Sequence, residues 1–298
     1  MAKYDAAGDT VRKSPPVALW IMLAGVVIAI IGFIWCMNTD LTKYAKTESL
    51  YTDQNTSEVK NLDFEFESAD TQIVKSSDDQ IHVSIENAPE GIFTYGQKDN
   101  TFYIHRKSTW GIFKWSGSKI PFLKDIYPTA KIKVAIPDSI KFDKIEIDSG
   151  IGDLVAENLK CEYLDIENGI GELTISNCTA DKTKIDNGIG ETDIKNCSLG
   201  DADIENGIGE ITAEKSSFKE TDIDNGIGEI ELSGEFNGDV DIDNGIGDIE
   251  LRIEGDSADF KITGDSDKVE VSGKNGSSNG KYKIKTDNGL GDIKIRFI

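Results

Sequence analysis

Acidic side chains recur along the second half of this chain in a spacing that could hold a divalent cation. Within residues 239–250, carboxylates occupy positions 1, 3, 5 and 12 of a twelve-residue calcium-type loop. They belong to Asp239, Asp241, Asp243 and Glu250. Asn244 stands at the sixth position, where such a loop needs glycine for a sharp turn. The acids are explained more simply as water-facing strand positions, and we expect any calcium to bind weakly and at many sites.

Catalytic chemistry has little support in the residue pattern. The chain has two histidines, His82 and His105, and neither lies in a nucleophile motif, a metal-ligand spacing or a phosphate-binding loop. Acid–base catalysis needs carboxylates in unlike environments that push their pKa values apart, whereas these acids recur in equivalent positions. We therefore predict that the protein is not an enzyme and uses no cofactor. A β-helix enzyme acting on polysaccharide is the less favoured alternative.

A basic and aromatic loop, residues 105–128, interrupts the acidic character of the chain. No acid occurs between Asp99 and Asp125. The candidate docking residues in this loop are Arg106, Lys107, Trp110, Phe113, Lys114 and Trp115. Lysines beside interfacial aromatics favour contact with anionic lipid or with the acidic face of a partner. The alternative is that the aromatic side chains cap the first rung of a repeat stack.

The phrase Asp/Glu-Asn-Gly-Ile-Gly-Asp/Glu organises residues 148–298. Its first glycine recurs at a strict spacing of 19, at Gly150, Gly169, Gly188, Gly207, Gly226 and Gly245. The same step leads on to Gly264 in a degenerate copy, and a longer step leads from there to Gly289. So strict a period is typical of an architecture in which each unit stacks on the next.

The apolar positions within each unit predict a coil with three short faces. The alternation of apolar and polar residues changes phase near residues 171–172, 176–177 and 181–182. Three extended faces joined by three corners make a triangular coil. Equivalent positions of successive coils then stack about 4.8 Å apart.

Such stacking predicts columns of like side chains. One buried column is expected to contain Ile147, Ile166, Ile185, Ile204, Ile223 and Ile242. A second is expected to contain Ile151, Ile170, Ile189, Ile208, Ile227 and Ile246. An asparagine column from Asn168 to Asn244 can satisfy itself, because each amide donates to the carbonyl of the next.

The predicted fold class is all-β: a parallel β-helix, or solenoid, of about seven 19-residue coils, expected to be right-handed, preceded by one transmembrane helix. An array of hairpins is the alternative, because Asn-Gly is also a hairpin signal. Within the solenoid, Cys178 and Cys197 share a column on adjacent coils, within reach of a disulfide. Buried thiols that pack as small apolar groups are the favoured interpretation.

The chain before the repeat divides into four parts. Residues 17–37 contain no charge and would span about 31 Å as a helix, which matches a bilayer core. We predict an uncleaved single-span anchor, because Trp35-Cys36-Met37 does not fit a signal-peptide cleavage site. Residues 1–16 are assigned to a cytoplasmic tail, 38–60 to a linker, 61–147 to an irregular β region with an N-terminal cap, and 148–298 to the regular solenoid. A small basic excess before the span favours an extracytoplasmic C-terminal region.

The net charge of −22 is concentrated in the repeat. Residues 148–250 contain 27 acids and 6 lysines, a net charge of −21. Nucleic acid is therefore excluded as a natural partner of this surface. The surface suits solvent, cations or basic partners.

The anchor, the approach segment KIKVAIPDSIKFDKIEIDSG and the repeated DNGIGDI turns resemble the bacterial putative-adhesin family of unknown function, which includes LiaG-like cell-envelope proteins. The resemblance covers roughly residues 60–298. It implies a β-helix at the cell surface with a role in adhesion or envelope stress, and no catalytic motif to transfer. The expected partners are the membrane and an envelope protein or polysaccharide. The alternative is a scaffold that polymerises end to end.

Overall fold

The computed structural model describes residues 47–55, 58–89, 92–107, 130–264, 269–273 and 279–298. These residues form an all-β structure, in which the helical element is a single 3-10 helix, Ser257–Asp259. Within these ranges, no helix is long and apolar enough to cross a membrane. The predicted anchor, residues 17–37, lies outside them and stays a prediction.

The strands before the regular repeat are β1 (Thr47–Asn55), β2 (Asn61–Glu65), β3 (Ala69–Lys75), β4 (Gln80–Pro89), β5 (Phe93–Lys98), β6 (Thr101–Arg106) and β7 (Ala130–Ile136). The strands of the first coils are β8 (Phe142–Ile151), β9 (Leu154–Glu157), β10 (Lys160–Ile170), β11 (Leu173–Ser176), β12 (Thr179–Ile189), β13 (Thr192–Lys195), β14 (Asp201–Ile208) and β15 (Ile211–Phe218). The remaining strands are β16 (Thr221–Ile227), β17 (Ile230–Phe236), β18 (Val240–Ile246), β19 (Ile249–Ile253), β20 (Phe260–Gly264), β21 (Val269–Ser272), β22 (Tyr282–Leu290) and β23 (Ile293–Phe297).

The strands form two long sheets of 12 and 11 strands. In the repeat, each strand pairs in parallel with the strand of the next unit, and the offset between paired residues equals the sequence period. Ile166 faces Ile185, for example, and Asn168 faces Asn187. Residues one sequence period apart therefore lie side by side in the sheet, which is consistent with a β-solenoid. It differs from a hairpin array, whose neighbouring strands would run antiparallel.

The first predicted isoleucine column forms the core. Its members, Ile147, Ile166, Ile185, Ile204, Ile223 and Ile242, are all at most 1% exposed. A second buried column consists of Leu154, Leu173, Thr192, Ile211, Ile230 and Ile249. Like residues therefore stack on like residues in neighbouring coils, with Thr192 as the polar exception.

Two of the three predicted corners are present, after the six-residue phrase and near residues 176–177. The third, at residues 181–182, is wrong, because β12 (Thr179–Ile189) continues through it. Each unit therefore contributes two strands to two sheets, and the predicted three-faced coil is not observed.

Asn158, Asn177 and Asn196 turn the chain with φ near +55°, a left-handed conformation that asparagine tolerates better than most residues. Gly171, the second glycine of the six-residue phrase, makes another corner, with φ of +148°. A Cβ atom there would lie 2.0 Å from the carbonyl oxygen of Gly152, so this corner requires glycine.

The second predicted isoleucine column is wrong. Ile170, Ile189, Ile208, Ile227 and Ile246 are each between 47% and 49% exposed, and Ile151 is partly exposed. Strict alternation after Asn168 would have put Ile170 inside, but Gly169 and Ile170 are both exposed at the end of β10. A Cβ on Gly169 would lie 2.3 Å from the carbonyl oxygen of Gly150, so the backbones approach closely there. The chain then turns at Gly171, where φ is +148°, and Ile170 lies on the outer side of this corner.

Both ends of the stack depart from sequence order. At the C-terminal end, β22 lies between β18 and β20, and β23 lies between β19 and β21. At the other end, β2 lies between β6 and β8, and β3 lies between β7 and β9. The degenerate copy at Gly264 therefore does not follow Gly245 in space. Asn288 stacks directly on Asn244.

The region before the repeat combines parallel and antiparallel strands. β2 and β3 extend the two sheets in parallel, whereas β4 pairs antiparallel with both β1 and β7. Residues 47–55, predicted as linker, form β1. That sequence has no strong strand pattern of its own, and its pairing with β4 provides the partner that an isolated strand lacks.

Candidate functional site

A shallow groove runs along the corner formed by the repeated phrase. It has a volume of about 1050 Å³ and is lined by the first three residues of seven copies of the phrase, from residues 148–150 to residues 287–289. We call it the carboxylate groove. Six steps between stacked strands give it a length of about 29 Å. Each coil contributes one carboxylate, one buried asparagine or serine, and one glycine.

Asparagine side chains lie buried beneath this groove and fix its backbone. Asn168 donates from Nδ2 to the carbonyl oxygen of Gly171 over 3.1 Å, and the same bond recurs at Asn187, Asn206, Asn225 and Asn244. Each asparagine thus closes its own corner. All five are at most 4% exposed, so buried hydrogen bonds fix the backbone that lines the groove.

Immediately after the groove-lining glycine, each coil presents an apolar side chain to solvent. These residues are Ile170, Ile189, Ile208, Ile227, Ile246 and Leu290, and together we call them the isoleucine stripe. Leu290 is 66% exposed. The strand register places these residues in line, since Ile189 faces both Ile170 and Ile208. In the described part of the repeat, the stripe forms a continuous row of exposed apolar side chains.

The acids beside the groove repel one another. Burial and neighbouring carboxylates, chiefly Asp224, Asp241 and Asp203, raise the pKa of Asp222. Burial raises the pKa of Asp243 as well, and Asp287, Asp241 and Asp224 raise it further against the opposing charge of Lys285. The column that contains Asp243 is acidic in every coil, whereas Lys184 and Lys285 interrupt the column that contains Asp222. The surface therefore favours cationic ligands and screening ions.

Lysine residues offset part of this charge. Lys285 lies 2.8 Å from Asp241, 3.9 Å from Asp243 and 3.0 Å from Asp287. Its hydrogen bonds to Asp241 and Asp287 raise its pKa. Lys184 makes a similar contact of 2.5 Å with Asp186. These pairs are at least 31% exposed, so solvent screens them and each contributes little to stability.

The four calcium candidates do not converge on one point. Asp239, Asp241 and Asp243 lie in or beside β18, but Glu250 lies on β19 in the other sheet. Glu250 contacts Arg252 at 3.0 Å and Arg296 at 3.4 Å, and Asp239 accepts a hydrogen bond from the Lys283 amide. Residues 239–250 thus run from strand to strand around a corner and have partners of their own.

Residues of the chain that are far apart in sequence form a different cluster. Asp63, Glu65 and His105 place their ligand atoms within 4.8 Å of one another, and no other group of three such residues does so in the ranges that the structure describes. Sequence reasoning missed it because the histidine is far from the two acids along the chain. Only the pairing of β2 with β6 brings them together.

The docking candidates are mostly beyond what the structure describes. Trp110, Phe113, Lys114 and Trp115 lie outside the described residues. Arg106 contacts Glu67 at 2.9 Å, and Lys107 is exposed. The docking hypothesis for residues 105–128 therefore stays a prediction.

The cysteines of the repeat are buried and free. Cys161, Cys178 and Cys197 form no disulfide. Cys178 donates from its thiol to the carbonyl oxygen of Ser176 over 3.3 Å. Burial raises the pKa of Cys161 to about 12. A hydrogen bond with Cys197, together with burial, also raises the pKa of Cys178. The Cys161 and Cys178 thiols are therefore poor nucleophiles, whereas the hydrogen bond with Cys178 lowers the pKa of Cys197.

The family profile described as Toastrack DUF4097 matches residues 59–296, whereas no curated protein matches the chain. Similar solved structures include a putative adhesin from Bacteroides fragilis, at 12% identity and a TM-score of 0.43, which covers 85% of this chain and 99% of that one. A putative cell adhesion protein from Clostridium sporogenes is 11% identical, with a TM-score of 0.28, and covers 85% and 100% of the two chains. A putative lipid binding protein from Parabacteroides distasonis is 12% identical, with a TM-score of 0.34, and covers 84% and 97%.

Proposed function

The chain belongs to the Toastrack DUF4097 family, and we propose that it is a non-enzymatic, membrane-anchored protein of the bacterial cell envelope. Its acidic repeat would present a surface for adhesion or for an interaction related to envelope stress. In this proposal the repeat is a right-handed solenoid of about seven coils held outside the cytoplasm. The anchor is the uncharged segment of residues 17–37, and its support is the sequence.

The isoleucine stripe carries the proposal. Surface isoleucines occur singly on most soluble proteins, whereas a row of aligned apolar side chains marks a contact surface. Here five isoleucines repeat at nearly equal exposure, with a carboxylate groove beside them. Burial of an apolar side chain stabilises a complex by about 25 cal/mol for each Å² removed from water. In this proposal the stripe supplies affinity, and the acids favour ligands that carry positive charge.

The geometry favours a long ligand over a compact one. Stripe residues recur about every 4.8 Å, and groove and stripe run in the same direction along several coils. A polysaccharide chain or an extended protein segment could contact each coil in the same way. The acids support a binding role over catalysis, because burial and neighbouring acids shift the pKa values of Asp222 and Asp243 in the same direction.

Saturable binding of the fluorescently labelled full-length chain to isolated bacterial envelopes tests the proposal. The test variant replaces Ile189, Ile208 and Ile227 by threonine, which keeps the β-branched shape but removes apolar surface. The control variant carries Asp203→Asn and Asp222→Asn, which reduce charge outside the stripe. We expect the threonine variant to lose at least tenfold in affinity, equivalent to about 1.4 kcal/mol, and the control to lose less.

Two results would count against the proposal. Equal binding by the threonine variant and the unmodified chain would remove the stripe from the interaction. Growth of the particle size with protein concentration, abolished by the same threonine changes, would show that the stripe serves self-association.

A further inference from the structure

Three side chains from two neighbouring strands converge at the end of the sheet that precedes the repeat. Asp63 and Glu65 lie two residues apart on β2, and strand geometry directs both side chains to the same face. β6 runs parallel to β2 in a register that places Glu65 beside His105. The three side chains offer one imidazole nitrogen and two carboxylate oxygens within 4.8 Å of one another.

The contacts of His105 distinguish this group from the acidic columns of the repeat. Its Nε2 atom lies 3.0 Å from Oδ2 of Asp63, yet this buried nitrogen makes no hydrogen bond. The nitrogen therefore contacts Asp63 without a well-directed hydrogen bond. An ion bound at Nε2 would coordinate it directly and would bring the two carboxylates into the same contact.

The surroundings hold the imidazole in place. The ring of Tyr103 lies 5.0 Å from the ring of His105, centroid to centroid. The hydroxyl of Thr94 donates to the His105 carbonyl oxygen over 3.2 Å. On the far side of β2, register pairs Glu65 with Asp148. A further carboxylate therefore lies beside Glu65.

From this arrangement, we infer that Asp63, Glu65 and His105 bind a divalent transition-metal ion such as Zn²⁺. Imidazole nitrogen with carboxylate oxygen suits zinc and its neighbours, whereas calcium prefers oxygen alone. Ligand atoms on one tetrahedral zinc are about 3.4 Å apart, and the exposed side chain of Glu65 can rotate inward to reach that spacing. The ion would join β2 to β6, which are distant in sequence, and would complete its coordination with water.

The two histidines make a matched test available. His82 lies on β4 and contacts Asp78 at 2.8 Å, so His82→Gln removes the other imidazole and leaves the cluster intact. The full-length chain, purified in mild detergent and stripped with a chelator, is titrated with ZnCl₂ by calorimetry in the presence of millimolar CaCl₂. We expect one zinc site in the unmodified chain and in His82→Gln, and at least a tenfold weaker affinity in His105→Gln.

Imidazole resonances provide a second measurement. Zinc should perturb the ring signals that vanish in His105→Gln and should leave unchanged those that vanish in His82→Gln. Zinc should also raise the Tm of the unmodified chain but not that of His105→Gln, whose metal-free Tm serves as the control for folding. Equal zinc affinity in the two glutamine variants, or the absence of a zinc site in the unmodified chain, would overturn the inference.

Discussion

The side chain of Asn206 donates a hydrogen bond from Nδ2 to Oδ1 of Asn225, one coil further on, over 2.9 Å. The same link joins Asn168 to Asn187 over 3.0 Å and Asn225 to Asn244 over 3.0 Å. One link is replaced, because Asn187 donates instead to the hydroxyl of Thr192 over 3.0 Å. Oδ1 of Asn206 is consequently buried without a hydrogen bond.

Thr192→Ile should stabilise the protein. Thr192 stands between Leu173 and Ile211 in a buried apolar column, and without its hydroxyl Asn187 is free to donate to Asn206. We expect a gain of about 1 kcal/mol in the free energy of unfolding and a rise in Tm of about 2–4 °C. Thr192→Ser, which keeps the hydroxyl and loses a methyl group, should lower the Tm. A lower Tm for the isoleucine variant would show that the column has no room for it.

Two isoleucines of one coil should respond differently to the same change. Ile185→Asp places a carboxylate in a fully buried column, and we expect a loss of several kcal/mol from the charge beyond roughly 1.5–3 kcal/mol of lost burial. Ile189→Asp changes a half-exposed side chain, and we expect a loss within about 0.5 kcal/mol. Urea unfolding of the two variants tests this difference. Equal losses would contradict the assignment of inward and outward positions.

Mild acid should stabilise the repeat. The pKa values of Asp148, Glu210, Asp222 and Asp243 are raised, first by burial and then by neighbouring acids. The folded state therefore binds more protons than the unfolded chain, and the free energy of unfolding increases as the pH falls through these pKa values. We expect the Tm to be higher at pH 5 than at pH 7, with a smaller difference at high salt.

Stronger acid should reverse that gain. Lys75 and Lys141 hold the pKa values of Asp138 and Asp181 below the ordinary value of 3.8. The stability that these pairs contribute is present above 3.8 and is lost as the pH falls through their lower, folded-state values. A Tm that falls steadily from pH 7 to pH 5 would contradict the expected profile.

The Cys161 thiol should resist alkylation while the protein is folded. With a pKa of about 12, only about one molecule in ten thousand carries the reactive thiolate at pH 8. Iodoacetamide should therefore label Cys161 in urea but not in buffer, as read by mass spectrometry of the peptide that contains it. Complete labelling in buffer would show that the column around Cys161 opens readily.

The repeat made much of the fold predictable. A strictly kept period requires equivalent positions to stack, and this argument predicted the column around Ile185, the asparagine links and the corner at Gly171. The family resemblance is also confirmed, by the match over residues 59–296. The correct predictions of the column, the links and the corner share one cause. A pattern repeated in every coil must adopt one arrangement that suits all coils together.

The failures occurred where local pattern and tertiary contact disagree. Ile170 follows the alternation that indicates burial, but it immediately precedes the corner at Gly171 and is exposed. β1 forms within the predicted linker because β4 pairs with it. His105 meets Asp63 only through the pairing of two strands that are distant in sequence, which no local spacing reveals.

The out-of-order strands at both ends also bear on how such proteins change in length. At each end of the stack, a pair of strands is inserted between others that are not its neighbours in sequence. These end structures are formed by residues before β8 and after β19. They therefore do not depend on the number of units between them. Duplication or deletion of one repeat unit would lengthen or shorten the contact surface by about 4.8 Å and leave both end structures intact. The number of repeat units therefore sets the length of the stack independently of the structures at its two ends.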